Sequence, residues 1–118
     1  MFVKLLKSKL HQVTVTATKL HYSGSIAIDS ELMETAGILP YEAVIIADVD
    51  NGNRLETYVV PAEAGSRDVI IMGAAARLMN PKDIVIILSF GLFAPDKAQK
   101  HKPKVVVLGE KNKIKDAG

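Results

Sequence analysis

Apolar and polar residues alternate with a period of two through Val13-Thr14-Val15-Thr16-Ala17-Thr18. This is the pattern of a strand that buries one face, and β-branched side chains suit a pleated surface. Residues 44–49 and 55–60 form two further apolar runs, separated by Asp50-Asn51-Gly52-Asn53. Asn-Gly favours positive φ at both central positions of a tight turn, so the two runs are expected as a hairpin. Residues 69–72, 84–90 and 104–108 complete the set of predicted strands. Helical signals are short. Asp29 or Ser30 can cap a helix that runs to about Ala36, Gly37 is placed to stop it, and Pro40 lies beyond. Residues 74–79 and 95–99 are expected as two more brief helices. Six or seven short strands with so little helix predict a mainly β barrel, in which closure of the sheet removes exposed edges.

The chain has 118 residues and shows no internal repeat, low-complexity segment or linker, so residues 1–118 are read as a single domain. At this size one core is adequate but not generous, and association into oligomers would help. Apolar runs such as 84–88 fall far short of the roughly 20 residues needed to span a bilayer, so no membrane partner is expected. Near the start, Met1-Phe2-Val3-Lys4-Leu5-Leu6-Lys7 interleaves lysines with apolar residues and lacks the continuous core of a secretory signal. With no cysteine there is no disulfide framework, thiolate metal site or cysteine nucleophile, which agrees with a cytoplasmic location. His11, His21 and His101 are widely separated, and no carboxylate-histidine spacing suggests a metal. The formal charge is +2, with lysines gathered at 97, 100, 102, 104, 111, 113 and 115. No aromatic residue follows Phe93, so the tail lacks the stacking groups of a nucleic-acid surface. It reads as solvated surface, flexible beyond about residue 108.

The stretch richest in chemistry is Leu20-His21-Tyr22-Ser23-Gly24-Ser25. A Gly-Ser bond is ordinarily a flexible turn. In a strained backbone, however, the serine hydroxyl can attack the preceding carbonyl and convert the amide to an ester. Glycine suits the attacked position, having no Cβ to hinder the carbonyl. Elimination from the ester would cut the chain after Gly24, and hydrolysis would leave a pyruvoyl group in place of Ser25.

The context of that bond is specific. Lys9-Leu10-His11, Leu20-His21-Tyr22, Gly24-Ser25, Ala36-Gly37-Ile38-Leu39, Asn51-Gly52, Arg54 with Thr57-Tyr58, Gly65-Ser66-Arg67, Gly73-Ala74-Ala75-Ala76 and Asp83-Ile84-Val85-Ile86 follow one another from about residue 3 to about residue 108. In order and spacing they resemble the pyruvoyl-dependent aspartate 1-decarboxylase family. The resemblance implies a small double-ψ β-barrel with a few short helices, cut into a chain of residues 1–24 and a chain of residues 25–118. It further implies a homotetramer with active sites between subunits, and decarboxylation of L-aspartate to β-alanine and CO2 for pantothenate synthesis. The cofactor implied is a covalent pyruvoyl group made from Ser25, which forms a Schiff base with the substrate amine, with no pyridoxal phosphate and no metal.

Carried onto this chain, the resemblance assigns cleavage to Gly24 and Ser25, with Thr57 hydrogen-bonding the Gly24 carbonyl. Tyr58 is the expected proton donor, since a neutral phenol can protonate a carbon that has gained electron density. Arg54 is expected to hold a substrate carboxylate, a role suited to a planar, permanently charged guanidinium. Lys9 and His11, two apart on an early strand, would share one face. The family puts that face at the site, with Lys9 as a second positive charge and His11 in support. Tyr22 sits beside the cut. Gly73, Ala74 and Ala75 match a loop that contacts substrate, alongside Thr57. Thr57 and Tyr58 would point to opposite faces of a regular strand, so both can serve one site only if the strand twists or bulges. Met72 departs from the asparagine common in the family, and a thioether cannot donate the hydrogen bond that an amide would. Ser23 departs at a permissive position. The competing readings are a non-catalytic β-barrel binding or assembly module, and a family member that never matures.

Overall fold

In the computed structural model, which describes residues 1–118, nine strands join in the order β2-β6-β3-β5-β4-β7-β1-β8-β9. β1 (Val3–Thr14) lies between β7 (Ile84–Phe93), to which it is antiparallel, and β8 (Lys104–Leu108), to which it is parallel. At Val15 and Thr16 the chain leaves this neighbourhood. The Val15 amide donates to the Asp83 carbonyl at 2.9 Å and the Thr16 amide to that of Val69 at 2.8 Å. β2 (Ala17–Lys19) then pairs in parallel with β6 (Val69–Met72). The continuous stretch 3–19 therefore contributes both to one end of the strand order and close to the other. The sheet wraps into a small barrel, as the strand count predicted, around a core that includes Leu10, Ile26, Leu32, Ile46, Ile87 and Leu108, all fully buried.

The run expected as one strand over 13–18 is thus two strands with a crossing between them. β1 begins ten residues earlier than the alternation shows, because register shifts between Leu6 and Ser8 and between Leu10 and Val13 change its phase, with Gln12 at φ 61°. β3 (Ser25–Asp29), absent from the predicted set, is buried throughout. It lies between β5 (Arg54–Ala62), to which it is parallel, and the antiparallel β6. A strand covered on both faces shows no polar alternation to betray it. β4 (Ala43–Asp48) and β5 form the expected hairpin, but not through a tight turn with two positive φ values. Only Gly52 has positive φ, at 78°. The Asp48 carboxylate instead accepts from the amides of Asp50 and Asn51 and shapes a wider loop.

Asp29 ends β3 and caps α1 (Ser30–Ala36), accepting from the Glu31 amide at 2.8 Å, and Gly37 closes that helix at φ 72°. The predicted helix after residue 73 is a 3₁₀ turn over Gly73–Arg77, and α2 spans Pro95–Ala98. Beyond residue 108, where a flexible tail was expected, a short 3₁₀ turn over Glu110–Asn112 leads into β9 (Ile114–Asp116), which pairs with β8. Its anchor is Asn112, 1% exposed, whose amide group bonds both backbone atoms of Thr14 and the Arg67 carbonyl.

Candidate active site

Ser25 opens β3 and is 3% exposed, directly opposite Met72 on β6. On the other side Ile26 lies abreast of Val59 in the parallel pairing with β5. Two residues back along that register Gly24 falls level with Thr57. Both line a cleft of about 330 Å3 with Ala74 and Ala75 from the 3₁₀ turn. Leu55, Glu56 and Leu78 complete its walls.

Gly73 lies close against the backbone that leads into the Gly24–Ser25 bond. It has φ 74°, and a Cβ placed on it would lie 2.5 Å from Gly24 Cα, 2.7 Å from Gly24 N and 2.9 Å from the Tyr22 carbonyl oxygen. Backbone presses on backbone here, and only glycine fits. Gly24 itself is unlike this, since a Cβ there would meet nothing within 4 Å and its φ is not positive. The fold needs a glycine at 73 and does not need one at 24.

The far end of β3 is fixed by Asp29, which is fully buried and accepts three backbone hydrogen bonds: from Glu31 at 2.8 Å, Gly65 at 3.0 Å and Arg67 at 2.7 Å. Burial alone would raise its pKa. Those three amides and the nearby Arg67 charge outweigh burial and hold the carboxyl below its ordinary value.

A second group of predicted residues occupies the outer face of the sheet. The pairings Lys9–Leu88, Leu88–Ile45 and Ile45–Glu56 set these residues in one row across β1, β7, β4 and β5. Arg54 and Tyr58 flank Glu56 two residues to either side, so they share its face. Both are exposed, Tyr58 with its ring centroid 6.4 Å from that of Tyr41. No register shift interrupts β5, so Thr57 points inward, beside Val44, while Tyr58 points outward. Lys9 stands three strand spacings from Glu56, roughly 14 Å along the sheet. His11, on the same strand as Lys9, has a buried Nδ1 without a hydrogen-bond partner. Tyr22 is more than half exposed, with Lys19 Nζ 5.1 Å from its ring centroid.

Within one chain, then, Gly24, Ser25, Thr57, Met72, Gly73, Ala74 and Ala75 come together. Arg54 and Tyr58 lie on the opposite face of β5 from Thr57, and Lys9 and His11 lie on a strand that is not paired with β5. Glu56 escaped the reading of the sequence, although its spacing of two from both Arg54 and Tyr58 was available as a signal.

The sequence pattern of the family described as aspartate decarboxylase matches residues 1–115. The chain belongs to the aspartate decarboxylase family. It is 52% identical over 114 residues to an aspartate 1-decarboxylase of Acetivibrio thermocellus, covering 97% of this chain and 90% of the relative. An aspartate 1-decarboxylase of Thermosipho africanus is 50% identical over 110 residues, covering 93% and 90%. One of Moorella thermoacetica is 52% identical over 110 residues, covering 93% and 86%. Coverage this complete leaves the non-catalytic barrel module without support. The family's pyruvoyl group fits the residues at the Gly24–Ser25 bond. Ser25 is the serine at that bond, and the cradle against Gly73, which a Cβ would fill, holds the backbone just before it.

Proposed function

We propose that this chain decarboxylates L-aspartate to β-alanine and CO2 for pantothenate synthesis, after cutting itself between Gly24 and Ser25. The observation that carries the reading is the convergence on that bond of Thr57, the Gly73 backbone and the alanines that follow, in a chain that matches the family over nearly its whole length.

For cleavage, Ser25 Oγ attacks the Gly24 carbonyl carbon, and the amide bond is exchanged for an ester. The oxygen of that carbonyl becomes negative as the tetrahedral intermediate forms. Thr57, level with Gly24 on the neighbouring strand, is the hydroxyl donor at hand to stabilise it. Ser25 is buried, while Gly24, whose carbonyl it attacks, lines the open cleft. The pyruvoyl group left at residue 25 supplies a ketone conjugated to an amide, an electron-accepting centre that no ordinary side chain offers.

Around that centre the chain's own residues bind and move protons. Arg54 takes a substrate carboxylate through paired hydrogen bonds. Lys9 adds positive charge against the dianionic substrate, His11 supports it, and the backbone of Gly73, Ala74 and Ala75 bounds the pocket. Tyr58 returns a proton to the carbon that has lost CO2. Because Arg54 and Tyr58 face outward and Lys9 and His11 lie farther round the barrel, these roles are best met between chains. This supports a homotetramer with shared sites, and the exposed Tyr22, Tyr41 and Leu78 supply apolar surface for it. No helix is long and apolar enough to cross a membrane, and membership of a family of biosynthetic decarboxylases supports a place in the cytoplasm.

The test is the intact mass of the purified protein under denaturing conditions. Two fragments, residues 1–24 and a chain from residue 25 lighter than its serine form by one ammonia, are expected. Ser25→Ala should remain a single chain without activity. A Ser25→Ala protein that still splits at this bond would refute self-cleavage, and a wild-type chain that stays uncut would mark an immature member of the family.

A further inference from the structure

A larger cavity than the cleft beside Gly24 lies elsewhere in the molecule. It is an open hollow of about 740 Å3 where the end of β1, the loop before β6, the turn before β7 and the 3₁₀ turn before β9 meet. It shares no residue with the active-site cleft. Among its nine lining residues four are cationic, Arg67, Lys82, Lys111 and Lys113, and none is acidic. In a chain whose formal net charge is +2, that concentration of one sign is local.

Three of these cations, Lys82, Lys111 and Lys113, make no salt bridge. Arg67 already lies 3.8 Å from both Asp29 and Glu31, with its Nη1 buried beside Asp29, so its charge is the least free of the four. Like charges gathered round one hollow repel each other, and an anion between them would relieve the repulsion. Ser66, also in the lining, accepts from the Asp68 amide at 3.2 Å and keeps its hydroxyl proton to donate.

The hollow is also built with strained backbone. Six residues other than glycine have positive φ in this chain, and four of them line it: Arg67 at 59°, Lys82 at 75°, Lys111 at 56° and Asn112 at 57°. Each costs on the order of 1 kcal/mol or more, and such strain collects at ligand-binding sites. The walls are tied together all the same. The Asn112 side chain bridges Thr14 and the Arg67 carbonyl, and the Lys82 amide donates to the Val15 carbonyl at 2.8 Å. The tail lysines 111 and 113, which read as solvated surface, thus meet two basic residues from distant parts of the chain.

We infer that this hollow is a binding site, separate from the active site, for a small molecule carrying a diphosphate group. Aspartate is too small and too weakly charged to engage four cations. A hollow of this volume accepts a ligand of nucleotide size, and several phosphate oxygens can be shared among an arginine and three lysines. Inorganic pyrophosphate and ADP carry the same recognised group, with and without an organic part.

The test is calorimetric titration of the full, purified protein with each of these two ligands at low and high salt. Both are expected to bind, more weakly as salt rises. Equal affinity would mean that the diphosphate alone is read, and tighter ADP binding that the hollow also holds the organic part. The double variant Lys111→Glu, Lys113→Glu should weaken binding at least about tenfold, since each charge-assisted bond is worth about that factor. Lys100→Glu, elsewhere on the basic tail, should bind as the wild type does. Aspartate turnover without added ligand should be unchanged in both variants. Failure of both ligands to bind the wild type at millimolar concentration overturns the inference, as does undiminished binding by a folded double variant.

Discussion

Replacing Gly73 by alanine tests whether the approach of its backbone to Gly24 positions the bond proposed to be cut. At φ 74° an alanine pays the left-handed penalty of about 1–2 kcal/mol. Its Cβ would also stand 2.5 Å from Gly24 Cα and 2.7 Å from Gly24 N, where non-bonded atoms normally sit about 3.5–4.0 Å apart. Neither neighbour is the end of a flexible side chain, so the segment 22–24 has to withdraw by about 1 Å. The strain alone is well below the roughly 5–15 kcal/mol that holds a typical domain folded, so the barrel should persist. A displacement of 1 Å between reacting groups costs about a hundredfold in rate, and cleavage of Gly73→Ala should slow by about that factor. Intact mass followed over time at constant temperature gives the rate, and a urea midpoint measured alongside confirms folding. Gly24→Ala is the stability control, because its Cβ would meet nothing within 4 Å, and its midpoint should match the wild type. A folded Gly73→Ala protein that cuts itself at the wild-type rate would show that the close approach does not position the bond.

Tyr58→Phe should leave cleavage intact and lower β-alanine formation by about a hundredfold or more, the usual contribution of a positioned acid; near-normal turnover would point to another donor. Asp29→Asn keeps one carbonyl-type oxygen for Glu31 and Gly65 but turns an NH2 group toward the Arg67 amide, so it should cost about 2–3 kcal/mol by urea denaturation at neutral pH. Because the wild-type Asp29 pKa is lowered in the folded state, its contribution is present above the unfolded value and is lost as pH falls through the folded one. The deficit of Asp29→Asn should therefore shrink in acid, and a deficit independent of pH would count against the charge. Asp48 has the opposite sign. Burial and the neighbouring Asp83 carboxyl raise its pKa despite two backbone amides, so the native state holds its proton more tightly and loses stability as pH rises through the raised value. Asp48→Asn keeps the acceptor for Asp50 and Asn51 and should stabilise by about 1 kcal/mol at neutral pH, with the gain vanishing in acid; equal or lower stability at neutral pH would contradict this.

What could be read from the residues followed from how local the cause was. β6 and β8 fall where the sequence put them, because short β-branched runs between turn signals need no knowledge of their partners. Asp29 and Gly37 bracket α1 for the same reason. β3 was hidden because neighbours on both sides bury all of it, and β9 because three exposed residues become a strand only by pairing with β8. The opposed directions of Thr57 and Tyr58 followed from the period of a strand, whereas the separation of Lys9 from Arg54 depends on the order of the sheet. The basic hollow was equally out of reach, since Arg67, Lys82 and Lys111 converge only once the barrel closes.

β1 occupies an interior place in the sheet, between β7 and β8, yet it lies wholly before residue 24. Cleavage at Gly24–Ser25 would therefore make a central strand into a separate molecule, held by pairing and burial alone. The precursor unfolds to one chain and can refold by itself. The matured form would unfold to two, so its recovery would become a bimolecular encounter and its melting point would rise with protein concentration. With cleavage at that bond, assembly of the barrel would have to come first and cutting second, and each molecule that matured would give up its independent route back to the fold.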